Sequence, residues 1–181
     1  RRAVKNVVLI GMPGSGKSTV GVLLAKALGY DFLDVDLVIQ KREHALLQEI
    51  LDQRGLDAFL QAEEDAVCSI ACQNTVVAPG GSAVCREKAA EHLKSLGPVV
   101  YLKVPLEELS GRIQNLSTRG IAMEPGQTLA DVMAAPVDGS GYHDQYGLLG
   151  SNKATEEKLK LFPRSCQPVV DAIQARIQKE R

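Results

Sequence analysis

In the stretch GMPGSGKST (11–19), Gly11 and the run Gly16-Lys17-Ser18 fit the spacing G-x-x-x-x-G-K-[ST]. An apolar, β-branched run precedes it and a helical pattern follows, which is the context this spacing requires. Its glycines let the backbone wrap a polyphosphate with N–H groups turned inward, and the following helix adds the positive end of its dipole. Lys17 supplies a cation for the β- and γ-phosphates, and Ser18 a hydroxyl for Mg²⁺. The ligand this implies is a nucleoside triphosphate.

A second chemical feature lies in DFLDVD (31–36), which reads as a strand carrying two carboxylates. Asp34 and Asp36 are two apart, so in an extended chain they point to one side. Ligands of a parallel sheet sit beyond the carboxyl ends of its strands, so both acids are expected to face the bound phosphates. Mg²⁺ and Lys17 would offset their mutual repulsion. One carboxylate then holds metal-bound water, and the other accepts the proton of an attacking hydroxyl. The competing reading makes Asp36 a helix cap ahead of LVIQ.

These residues need a scaffold, and the chain alternates strand and helix patterns to provide one. NVVLIG (6–11), DFLDVD, NTVVAPGG (74–81) and PVVYLKV (98–104) read as strands. GKSTVGVLLAKALG (16–29), a stretch from about 37 to 71 broken near DQRG, REKAAEHLKSLG (86–97), PLEELSGRIQNL (105–116), ATEEKLKLF (154–162) and PVVDAIQARIQKE read as helices. The order predicts an α/β fold, a three-layer α/β/α arrangement around a parallel sheet, in one domain over residues 1–181. YGLLG is a poor candidate for a further strand.

Composition narrows the function classes. The 21 basic and 22 acidic residues leave a formal charge of −1, and aromatic residues make up 4% of the chain. With no basic stripe and few stacking rings, a nucleic-acid partner is not expected. No apolar run approaches the ~20 residues of a membrane span. Cys68, Cys72, Cys85 and Cys166 are too few and too scattered for a disulfide scaffold and are expected to be buried, reduced core thiols. The expected setting is a cytoplasmic monomer acting on a small-molecule substrate.

Five stretches in order, GMPGSGKSTVG, FLDVDLVIQ, GLDAFLQAEE, APGGSAV and RIQNLSTRG, resemble the shikimate kinase family of nucleoside-monophosphate-kinase-like P-loop proteins. The likeness runs from about Asn6 to Thr128. It implies a five-stranded parallel sheet, a substrate-binding region over about 37–71 and a mobile lid over about 115–128. The implied reaction moves the γ-phosphoryl of ATP to the 3-hydroxyl of shikimate, with Mg²⁺. Under the resemblance, Gly14, Ser15, Gly16, Lys17, Ser18 and Thr19 form the nucleotide loop, and Arg112 lies against adenine. Asp34 sits near the metal, holding it through water beside Ser18. Asp36 holds substrate hydroxyls and is the favoured base. Gly80 and Gly81 approach substrate and γ-phosphate, and Arg119 reaches both from the lid. Glu63 falls where the family steadies the substrate region, with surface exposure as the equal alternative.

The departures bear on the acceptor. Leu60 stands where the family has an arginine for the shikimate carboxylate, and Asp138 aligns with a second such arginine ahead of Tyr142. Ser82 replaces the third glycine of the glycine turn, Pro79 precedes that turn, and the lid reads Arg119-Gly120-Ile121-Ala122. Two alternatives to a shikimate kinase therefore stay open: a kinase for another small hydroxy acid, sugar acid or alcohol, and a nucleotide-binding relative without catalysis.

Overall fold

Four short strands, β1 (Val7–Ile10), β2 (Asp31–Asp34), β3 (Thr75–Ala78) and β4 (Val99–Tyr101), form one sheet in the order β2-β3-β1-β4. This is a computed structural model, and it describes residues 6–104, 126 and 167–179. Every strand pairing is parallel, with Val8 opposite both Val77 and Val99, and Asp34 opposite Ala78. The alternation of Val7 and Leu9 with Val8 and Ile10 sends side chains to both faces of β1, and all four are buried. A strand covered on both sides needs that unbroken apolar run.

Helix α1 (Lys17–Leu28) and the C-terminal α5 (Gln167–Lys179) cover one face, closing a core with Leu9, Leu24, Val100 and Ile173. Helices α2 (Val35–Glu43), α3 (Leu47–Cys68) and α4 (Glu87–Leu96) belong to the other core, with Ile10, Ile39, Phe59, Val77 and Leu93. The three-layer arrangement expected from the alternating pattern is present. At the edge of the sheet opposite the strand ends, Asn6 acts as a latch. Its Nδ2 donates to the carbonyls of Cys72 (2.8 Å) and Leu96 (3.2 Å), and its Oδ1 accepts from Thr75 N (3.1 Å).

Three expectations change. Strand β2 stops at Asp34 rather than running to Asp36, because Val35 and Ile39, four apart, turn into the core as a helix requires. The helical stretch from 37 to 71 is two helices, separated around His44, which takes the left-handed conformation (φ 52°). Within α3 the backbone kinks at Gly55 (φ 84°, ψ 175°), at the DQRG site where a break was expected. The cysteines are the third correction. Cys68 and Cys85 are exposed and Cys72 is half-buried, because Ala66, Val67 and Ile70, and then Ala83 and Val84, take the inward positions of their segments. Cys166, the expected fifth strand, the helices expected over 105–116 and 154–162, and the lid expected over 115–128, Gly126 excepted, lie outside the described residues.

Candidate active site

The strand order sets three connections side by side at the carboxyl edge of the sheet. These are the loop after β1, the β2–α2 junction, and the turn after β3. In the first, Gly16 opens α1 in the left-handed region (φ 91°, ψ 20°), and no side chain caps the helix. The first-turn N–H groups are thus left for an anionic ligand. Lys17 is buried, and its Nζ donates to the carbonyls of Gly11 (2.7 Å) and Met12 (3.0 Å), so the cation lies across the loop that precedes it. Ser15 is buried as well, and its Oγ has no hydrogen-bond partner among the described residues. A cradle with an uncapped helix start, a buried cation and an unsatisfied hydroxyl fits a polyphosphate.

At the second connection a single carboxylate joins two helix starts. Asp34 Oδ1 accepts from Asp36 N (3.0 Å), capping α2, and Asp34 Oδ2 accepts from Ser18 Oγ (3.2 Å). The cap is therefore Asp34, and Asp36 sits in the first turn of α2 rather than beside Asp34 on the strand. The pair still meets at one site, because Asp36 senses both Asp34 and Lys17. Burial pushes the Asp36 carboxyl up to about 6, the charge of Asp34 adds to this, and Lys17 opposes it. The Ser18 hydroxyl and the Asp34 carboxylate are hard oxygen donors of the kind Mg²⁺ takes.

The third connection is the glycine turn. A Cβ on Gly80 would run into Glu63 Oε1 and lie 3.4 Å from Asp36 Oδ1, and one on Gly81 would lie 2.6 Å from Pro13 Cδ. Only glycine lets the turn approach α3, Asp36 and the phosphate loop together. Glu63, whose exposure the sequence left open, is 2% exposed, and its Oε2 accepts from Ser82 Oγ at 2.6 Å. Leu60, one turn earlier on α3, is half-buried and packs on the core. Pro13 received no role from sequence, and Ser82 was visible only as a departure from glycine. Arg112, Arg119, Asp138 and Tyr142 lie outside the described residues.

Burial raises the Glu63 carboxyl from 4.5 to about 7; the Ser82 hydroxyl and Lys17 pull it down, and Asp36 pushes it further up. Below about pH 4.5 both folded and unfolded chains hold this proton. From about 4.5 to about 7 the unfolded chain releases it while the folded chain keeps it, so stability falls as pH rises. The loss reaches at most about 3 kcal/mol and is constant above that window. Glu63→Gln is expected to remove this contribution and to be the more stable protein at pH 8. Urea midpoints of both proteins from pH 4 to 8 check it, with Asp36→Asn introduced into both to remove the coupled titration of Asp36. A difference independent of pH would show that Glu63 titrates alike in the folded and unfolded chains.

The family model described as Shikimate kinase matches residues 13–136. The chain belongs to the shikimate kinase family. Family members use ATP as the phosphate donor. A shikimate kinase of Clostridium botulinum (strain Okra / Type B1) is 42% identical over 111 residues, 61% of this chain and 65% of the relative. Shikimate kinase 2 of Serratia proteamaculans is 35% identical over 135 residues, 70% of this chain and 78% of the relative. Among solved structures, a shikimate kinase from Acinetobacter baumannii in complex with shikimate superposes with a TM-score of 0.58 at 26% identity, over 98% of this chain and 90% of the other. The chain spans under two thirds of the length of the first curated relatives it matches, 65% and 62%. Among the described residues no helix is long and apolar enough to cross a membrane.

Proposed function

We propose that this protein transfers the γ-phosphoryl group of ATP to the 3-hydroxyl of shikimate, in the cytoplasm. The observation that carries the reading is the convergence of the phosphate loop, Asp34 with Asp36, and the Gly80–Gly81 turn at one sheet edge. The Acinetobacter structure with shikimate bound, 26% identical to this chain, supports the acceptor.

In this reading Gly14, Ser15, Gly16, Lys17, Ser18 and Thr19 hold the triphosphate, and Arg112 lies against the adenine. Bound Mg²⁺, held by Ser18 and through water by Asp34, would neutralise charge on the phosphates. Asp36 orients the acceptor hydroxyl and takes its proton. The Gly80 and Gly81 amides approach the acceptor and the transferring group. Lys17 and Arg119 stabilise charge on the γ-phosphoryl oxygens. The segment from 37 to 71 borders the acceptor, and the segment from 115 to 128 closes over it to keep out water, the competing acceptor.

Leu60 favours a second reading, in which the acceptor is another small hydroxy acid, sugar acid or alcohol. An arginine–carboxylate pair contributes about 1.5–3 kcal/mol. With Leu60 and Asp138 at two such places, roughly 3–6 kcal/mol of carboxylate recognition is missing, a factor of about 10²–10⁴ in affinity. ATP turnover against a panel of small hydroxy acids, sugars and alcohols, shikimate included, tests both readings. Shikimate is expected to be turned over with KM at or above about 1 mM. A better acceptor in the panel would install the second reading. ATP binding without turnover of any acceptor would make the chain a non-catalytic relative. A KM for shikimate near ~10 μM, within the ordinary enzyme range, would show that another cation holds the carboxylate. Arg119 is the first to replace by alanine in that case, and Arg86, Lys153 and Arg164 follow.

A further inference from the structure

Ser82 occupies the start of a short 3₁₀ turn (Ala83–Cys85), where a serine side chain ordinarily caps the following N–H groups. It does not do so here. Its side chain makes no cap hydrogen bond, and its hydroxyl instead donates 2.6 Å to Glu63 Oε2, nineteen residues back on α3. The other oxygen of the same carboxyl, Oε1, lies directly against Gly80. One buried carboxyl thus grips the turn at two points, by a hydrogen bond at residue 82 and by contact at residue 80.

What the turn touches makes that grip consequential. Gly80 lies between Glu63 and Asp36, and Gly81 abuts Pro13 of the phosphate loop. Rotation of the turn away from α3 would therefore alter its approach to Asp36 and to the phosphate cradle at once. A glycine at residue 82 would remove the hydrogen bond and leave the turn held to α3 by the Gly80 contact and by the packing of Ala83 and Val84 in the shared core.

We propose that Ser82 is a positioning residue, whose hydroxyl ties the glycine turn to Glu63 of α3 and so sets where the Gly80 and Gly81 backbone lies between Asp36 and the phosphate loop. It touches no reacting atom and acts through the turn. The inference deepens the kinase reading and rests on it for its kinetic consequences.

The test is Ser82→Ala beside Ser82→Thr, each read by turnover and by hydrogen exchange of the backbone amides of residues 80–85. Loss of one hydrogen bond to a carboxylate is expected to speed exchange in that segment about 10-fold. Turnover kcat should fall by a similar factor, about 10-fold, with KM for ATP raised by less than that, because Lys17 and the uncapped start of α1 still hold the phosphates. Ser82→Thr, which keeps the hydroxyl, should restore both. Exchange and kcat at wild-type values in Ser82→Ala would overturn the proposal, and so would a Ser82→Thr protein as impaired as the alanine variant. If the wild-type protein turns over no acceptor, the kinase reading falls by itself, and hydrogen exchange still decides whether Ser82 holds the turn.

Discussion

Replacing Lys17 by alanine is expected to abolish turnover and to weaken ATP binding by at least ten-fold. Lys17 is the side-chain cation of the phosphate loop, and its ammonium already lies across that loop, donating to Gly11 and Met12. A hydrogen bond to a charged group contributes about 1.5–3 kcal/mol, which corresponds to roughly 10–100-fold in affinity. The transition state should lose more than the ground state, because charge on the γ-phosphoryl oxygens meets the same ammonium in a site preorganised for it. Calorimetric titration with ATP, alongside turnover, measures the two losses separately. The thermal midpoint of the variant without nucleotide shows whether losing the two carbonyl contacts has loosened the loop. Unchanged affinity and unchanged turnover would mean that residues 11–19 do not hold the triphosphate.

Asp36→Asn is expected to leave ATP affinity within a few-fold and to lower the rate of phosphoryl transfer by roughly 10²–10⁴, the range for removing a positioned general base. The change keeps the shape of the side chain in the first turn of α2, so the Asp34 cap and the packing of Val35 survive. Asp34→Asn should behave differently. Asp34 bonds the Ser18 hydroxyl and caps α2, so its loss should appear as a raised Mg²⁺ requirement with a modest loss of stability. Turnover titrated with Mg²⁺ in both variants, with single-turnover rates at saturating metal, separates the roles. Equal, mild effects from the two substitutions would reduce the pair to a structural helix start and move the base elsewhere.

Much of this site was legible before any coordinate. The spacing of Gly11, Gly16, Lys17 and Ser18 is a local rule, since a loop that wraps phosphate needs those residue types within eight positions. The apolar runs of β1, β3 and β4, set between helical periodicities, dictate a covered parallel sheet. A parallel sheet in turn assigns ligands to its carboxyl edge. Asp34 and Asp36 could be placed there by that reasoning alone, although the backbone expected to carry them was wrong.

What tertiary structure decided depends on contacts between segments far apart in the chain. A two-residue spacing puts Asp34 and Asp36 on one side only if the strand continues. The burial of Val35 and Ile39 ended it, and Asp34 became the cap that joins α2 to Ser18. The exposure of Cys68 and Cys85 follows from which neighbours their segments turn inward, which composition does not encode. Glu63 looked as free to be a surface residue as a site residue, because its burial needs the glycine turn, seventeen residues on, to close over it. Ser82 gained a role only once its hydroxyl could be seen to reach across to α3 rather than down its own turn. Local spacing determines which chemistry the chain carries, while the docking of α3 against the sheet determines which carboxyls are buried and what they hold in place.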